Sequence, residues 1–140
     1  MHSKTYLTVR YAETDRMGIV HHSNYPVWYE MGRTDFIKLF GFQYSKMEEA
    51  GVMMPLIDLS CHFNYPARYE DKVLVRTWAI ELKHAHMSFS YKVSKINDDG
   101  TETELGYGTT EHGFVDSKTF KPCSIKKRMP QLYNSLKEVL

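Results

Sequence analysis

Asp15, His21 and His22 stand close together, just ahead of a segment that reads as the start of a helix. Attack on a carbonyl needs a nucleophile or a base that activates water. It also needs donors aimed at the oxyanion that develops. Asp15 is a group of the first kind. The free N–H groups of a helix start, here His22, Ser23, Asn24 and Tyr25, are groups of the second kind, and the helix dipole favours negative charge there. Glu13 lies two residues before Asp15 and shares its face in an extended segment. It reads as a charge partner or a solvated side chain rather than a second catalytic acid. The residue types alone leave a plainer account open, because aspartate is common in turns and histidine is common at surfaces and caps.

Other polar groups carry less. His84 and His86 are spaced to share a strand face, and Cys61 adjoins His62. No set of histidines and cysteines has the spacing of a structural zinc site, so no metal is expected. Arg68, Lys83, Lys121, Lys126, Lys127 and Arg128 fall in loops or near the C-terminus. They read as scattered surface charge, or as holders of an anionic ligand. The net charge of +1 gives no reason to expect nucleic acid. No apolar run approaches the length of a membrane span, and no long apolar leader opens the chain. A cytoplasmic protein without a membrane span is the expectation.

The elements that must position these residues can be read in order. Lys4 to Tyr11 alternates as a strand, with Leu7, Val9 and Tyr11 on one side. A tight apolar turn, Met17-Gly18-Ile19-Val20, follows. The helix after it takes Ser23 as N-cap and Pro26 in its first turn. Helical spacing puts Tyr25, Trp28, Tyr29, Gly32, Phe36, Leu39 and Phe40 on one buried face, with Glu30, Arg33, Thr34 and Lys38 outside it. Gly41 is a plausible stop. Ser45 to Ala50 reads as a helical turn with Ser45 and Glu48 at capping-box spacing. Met53 to Tyr65 is extended, and Pro66 to Asp71 is a turn-rich link. Strands follow at Val73 to Leu82, His86 to Ile96 and Glu104 to Asp116. Asn97-Asp98-Asp99-Gly100 makes a hairpin turn. Gly106 and Gly108 share a strand face, as glycines do where backbones approach closely. Lys126 to Leu140 reads as a terminal helix with Leu132, Leu136 and Leu140 in register. Residues 1–140 therefore form a single α+β domain with an antiparallel sheet.

The ordered set Arg10, Tyr11, Glu13, Thr14, Asp15, Gly18, Ile19, Val20, His22, Asn24, Tyr25, Trp28, Glu30 and Arg33 resembles the opening of the 4-hydroxybenzoyl-CoA thioesterase family. Weaker matches run from Tyr65 to Asp71 and from Gly113 to Pro122. The resemblance implies a hotdog fold, an antiparallel sheet of about five strands wrapped around one long central helix. It implies an acyl-CoA thioesterase in which Asp15 occupies the position of the catalytic carboxylate, as nucleophile or general base. The His22 N–H would be aimed at the thioester oxygen, and the His22 ring would assist. His21 matches no functional position. Gly18, Ile19, Val20, Tyr25, Trp28 and Tyr29 become candidates for the acyl pocket, and the six basic residues become candidates for the CoA phosphates. Coenzyme A is part of the substrate, so no cofactor is implied. A homodimer or homotetramer is, because hotdog sites lie between subunits. Two alternatives stay open: a hotdog enoyl-CoA hydratase or dehydratase, and an acyl-CoA-binding module without turnover.

Overall fold

The arrangement of the chain is set by where its aromatic helix can hide. The computed structural model describes residues 1–140. Strand β1 (Ser3–Thr8) leads through a short 3-10 turn (Tyr11–Glu13) and the Asp15 loop into helix α1 (Asn24–Lys38). Helix α2 (Tyr44–Glu49), strand β2 (Val52–Met53) and strand β3 (Leu56–Phe63) follow. The antiparallel meander β4 (Lys72–Leu82), β5 (His86–Ile96) and β6 (Glu102–Gly113) comes next. Strand β7 (Val115–Asp116) and helices α3 (Ile125–Arg128) and α4 (Pro130–Glu138) complete the chain. The main sheet runs β1-β4-β5-β6-β3, antiparallel throughout, and β2 pairs separately with β7. This is the hotdog arrangement, with the sheet curled around α1.

Helix α1 buries Tyr25, Trp28, Tyr29, Gly32, Phe36 and Ile37. Tyr29 stacks on Tyr91 with ring centroids 4.2 Å apart, and Phe36 meets Phe89 edge-on at 5.8 Å. Such pairs add specific geometry to the burial that drives the packing. Gly32 lets α1 settle onto β4, since a Cβ there would run into the Thr77 side chain. Gly106 and Gly108 do the same for β3, where a Cβ would strike the carbonyls of His62 and Ser60.

Several sequence expectations change. Leu39 is exposed, and Ile37 takes its place in the core. Ser23 does not cap α1: it already has helical backbone angles, and its hydroxyl bonds to His21 Nδ1. Asn24 ties the helix start instead, donating from Nδ2 to the carbonyls of Glu13 and His21. The first strand ends at Thr8, leaving Tyr11 exposed on the 3-10 turn. Gln43, not Ser45, precedes α2. Phe114 divides the last long strand into β6 and β7, and the C-terminal helix is split before Pro130, so Leu140 lies exposed beyond α4.

Two features of the core bear on later argument. Helical spacing puts Arg33 outside the buried face, yet it reaches inward and donates to Tyr91 Oη. A chain continues from Tyr91 through Thr110 Oγ1 to His112 Nε2, and from His112 Nδ1 to the Met54 carbonyl. The second feature is β3, which pairs with β6 on one side only. Leu56, Ile57, Leu59 and Phe63 along it are exposed.

Candidate active site

The Asp15 loop is closed by its own backbone. The Asp15 N–H donates to the Ile19 carbonyl at 2.8 Å, and the Gly18 N–H returns to the Asp15 carbonyl at 3.0 Å. Gly18 turns the chain at φ +77°, a conformation that favours glycine. Thr14 bridges to Val20, whose N–H donates to the Ala67 carbonyl at 2.8 Å. The loop is thereby fastened to the segment after β3.

Between the two segments lies a cleft of about 330 Å³. Asp15, Ile19, Val20, His22 and Tyr25 line one side, and Phe63, Tyr65 and Ala67 the other. The Met17 N–H donates to Asp15 Oδ1 at 2.8 Å, which leaves the other carboxylate oxygen without a partner in the chain. The N–H groups of Asn24 and Tyr25 are taken up by the carbonyls of His21 and His22, and that of Ser23 by His21 Nδ1. The N–H of His22 meets no acceptor. The expected stretch of donors from His22 to Tyr25 thus narrows to one free N–H. His21 serves the turn, accepting from Ser23 and stacking its ring 4.0 Å from that of His22.

Two side chains near the helix start are held in their neutral forms by burial. Burial pushes the Tyr25 phenol up to about 12, so it stays protonated at neutral pH. Burial also raises the Cys61 thiol, which makes it a poor nucleophile. No group of three or more histidine, cysteine and acidic side chains is arranged to hold a metal ion.

Of the expected pocket residues, Ile19, Val20 and Tyr25 line the cleft. Trp28 and Tyr29 do not: both lie in the core, Trp28 packed against Tyr25 and Tyr29 stacked on Tyr91. Gly18 sits at the exposed tip of the loop and shapes it without lining the cleft. Phe63 and Tyr65 were missed: their segment has weak periodicity, and only the fold brings it against the Asp15 loop.

Among the basic candidates, Arg68 follows directly on Ala67 at the cleft wall. Lys83 pairs with Glu81 at 3.2 Å, and Lys126 lies over the Tyr133 ring. Lys121 and Lys127 are exposed. Arg128 is committed to structure, donating to Asp116 Oδ2 at 2.8 Å and to the Gly51 carbonyl at 3.1 Å. Glu13, expected to be solvated or a charge partner, is 5% exposed and bonds to both Arg10 and Trp28.

A family model described as the thioesterase-like superfamily matches residues 9–134. The Bacillus subtilis (strain 168) protein YneP, provisionally named an acyl-CoA thioesterase, is 40% identical over 134 residues, covering 95% of this chain and 94% of that protein. The crystal structure of DHNA-CoA thioesterase from Staphylococcus aureus is similar at a TM-score of 0.92 and 32% identity, covering 99% of this chain and 90% of that one. A 4-hydroxybenzoyl-CoA thioesterase structure reaches a TM-score of 0.81 at 15% identity over 94% of this chain and 98% of that one, a likeness of fold. The likeness to one branch read from the Asp15 motif therefore widens to the larger group: the chain belongs to the thioesterase-like superfamily, as a hotdog-fold enzyme of the thioester-hydrolase class.

Proposed function

We propose that this chain hydrolyses an acyl-CoA thioester to a carboxylic acid and free CoA, with Asp15 as the reacting carboxylate and the His22 N–H as the oxyanion donor. One observation carries the reading. Asp15, with one carboxylate oxygen unpartnered, and His22, whose main-chain N–H has no acceptor, line the same largely apolar cleft. Acting as a general base, Asp15 takes a proton from water while the water oxygen bonds to the thioester carbon. The carbonyl electrons move onto oxygen, where the His22 N–H and the positive end of α1 hold them. Their return breaks the C–S bond, and the CoA thiolate leaves and takes up a proton. Acting as a nucleophile, Asp15 first attacks the thioester carbon and, as the C–S bond breaks and the CoA thiolate leaves, forms an acyl anhydride, which water then cleaves to the free acid and the Asp15 carboxylate. Both routes use the same donor and call for no metal or redox cofactor. The exposed His22 ring, beside the reacting carbonyl, assists in proton transfer.

The working unit is a homodimer, or a homotetramer built from one. Strand β3 has an unpaired edge and four exposed apolar side chains, a surface that soluble proteins normally cover. Phe63 belongs both to that surface and to the cleft, so a second copy lying along β3 would also close the site. Lys83 and Lys126 each lie one residue from a backbone hydrogen bond that joins their segments, from the Ile125 N–H to the His84 carbonyl. They would hold CoA phosphates at a site completed by the adjoining subunit, with Arg68 doing so within its own.

The test is thiol release from a panel of aryl-, short- and long-chain acyl-CoAs, followed together with thioester absorbance. Release from at least one member is expected. No release from any member would overturn the reading, and an enoyl absorbance change without thiol would indicate hydration instead.

A further inference from the structure

We propose that Glu13 is a positioning residue: its buried carboxylate ties the Asp15 loop to α1 through Trp28 and so sets where Asp15 stands relative to the His22 N–H. The inference rests on the roles proposed for Asp15 and His22.

Glu13 binds in four directions at once. Its Oε1 accepts from the Arg10 N–H at 2.8 Å, with Arg10 Nε at 3.6 Å. Its Oε2 accepts from Trp28 Nε1 at 2.9 Å. Its main-chain carbonyl accepts from the His21 N–H at 2.9 Å and from Asn24 Nδ2 at 3.0 Å. One residue thus joins the entry to the 3-10 turn, the residue before His22, the first residue of α1 and the second turn of that helix. Asp15 lies two residues after this anchor.

The donors explain why the side chain is a carboxylate. Arg10 N–H and Trp28 Nε1 can only donate, and a carboxylate meets both because both its oxygens accept. Glutamine would turn an N–H2 toward one of them. Aspartate is one methylene shorter and could not span the two. The tie also reaches the cleft wall, because the Trp28 ring packs 4.9 Å from Tyr25, and Tyr25 packs 4.8 Å from Phe63.

Glu13 does not serve as a second acid in the cleft. It lines a separate shallow groove with Leu7, Arg10, Val27 and Met31, whereas Asp15 lines the cleft. Its effect on the reaction passes through geometry. Small displacements of reacting groups are costly, about 10²-fold for 1 Å.

The experiment compares Glu13→Gln, Trp28→Phe and the double variant in the full chain. The readouts are kcat, KM, the pH profile of kcat, thermal unfolding, and the amide resonances of Asp15 and His22. Each single variant should lower kcat by about 10-fold to 10²-fold, with KM within about 3-fold and the pH profile unmoved. Both amides should shift, and the double variant should be no slower than the slower single, because the two changes break one bond.

Wild-type kcat in both single variants, whatever their melting temperatures, would overturn the proposal and leave Glu13 a stabilising residue only. So would loss of one limb of the pH profile in Glu13→Gln, which would make Glu13 a reacting group. If Glu13→Gln does not fold, Trp28→Phe decides by the same kcat and KM split, since it leaves the carboxylate with Arg10. If the wild type acts on no acyl-CoA, the thioesterase reading falls, while the amide shifts of Asp15 and His22 still decide whether the tie exists.

Discussion

Acidification should weaken the fold through His112, by an amount the structure allows to be worked out. His112 is 1% exposed on β6. Burial, reinforced by the Arg33 cation, pushes its pKa down from 6.5 to about 4. The hydrogen bonds explain why the neutral ring fits. Arg33 can only donate, so Tyr91 accepts from it and donates to Thr110; Thr110 donates to Nε2, and Nδ1–H points at the Met54 carbonyl. A proton on Nε2 would oppose the Thr110 hydroxyl and force the chain to turn round. The unfolded chain holds the more easily protonated form, so stability rises with pH across this window and is lost as pH falls from 6.5 toward 4. Between pH 7 and pH 5 the loss comes to about 2 kcal/mol. That is a large part of a typical domain's 5–15 kcal/mol. Carboxylates held low by their partners, Asp116 by the Thr119 N–H and then by Arg128, and Glu102 by Arg76, lose their contribution at more acid pH. The assay is urea unfolding at pH 7 and pH 5 for the wild type and His112→Gln. The wild type should lose about 2 kcal/mol more than the variant over that interval. Equal losses in the two proteins would refute the reasoning.

Asp15→Asn should lower kcat by on the order of 10³ or more with substrate Kd little changed, because it removes the reacting group and keeps its shape. His22→Ala keeps the main-chain donor and should lose only about 10-fold to 10²-fold; the reverse ranking in steady-state kinetics would reverse the roles. Chelator treatment should leave thiol release unchanged, and activity restored by one divalent ion would contradict the cofactor-free chemistry. Light scattering should give at least twice the 16.4 kDa chain mass for the active species; an active monomer would remove the role proposed for β3. Gly108→Ala, whose methyl would press on the Ser60 carbonyl and Tyr29, should cost about 1–3 kcal/mol in unfolding experiments.

The parts of this protein legible in its sequence are those fixed by local pattern. Met87, Phe89, Tyr91 and Val93 alternate with polar residues, and β5 buries them. Gly106 and Gly108 announce a close strand neighbour, and β3 is there. Asp15, the glycine turn and the helix start lie on one short stretch, so their grouping at one corner of the fold could be read directly. What escaped depends on contacts distant in the chain. Strand β3 has poor periodicity because both of its faces stay largely exposed in the single chain. Burial inverted one expectation, since Arg33 turns in toward Tyr91, and refined another: Glu13 is a charge partner of Arg10 but is buried and also held by Trp28, a partner that local spacing does not reveal. Trp28 and Tyr29 occupy the correct helix face for a pocket, but the cleft stops at Tyr25 and both lie in the core.

The fastening of the Asp15 loop bears on how such a site can diverge. One wall hangs on the Val20-to-Ala67 hydrogen bond, and the other is held to β6 through the N–H groups of Asn64 and Tyr65, which share the Leu105 carbonyl. Inserting or deleting a residue in either segment would break pairings that the opposite wall needs, so length is a poor currency for change here. Side chains are a freer one. Ile19 and Tyr65 face the cleft from a backbone that need not move when they are exchanged. New acyl preferences in descendants of this chain should therefore arise by substitution at such positions, with the spacing from Asp15 to the helix start left untouched.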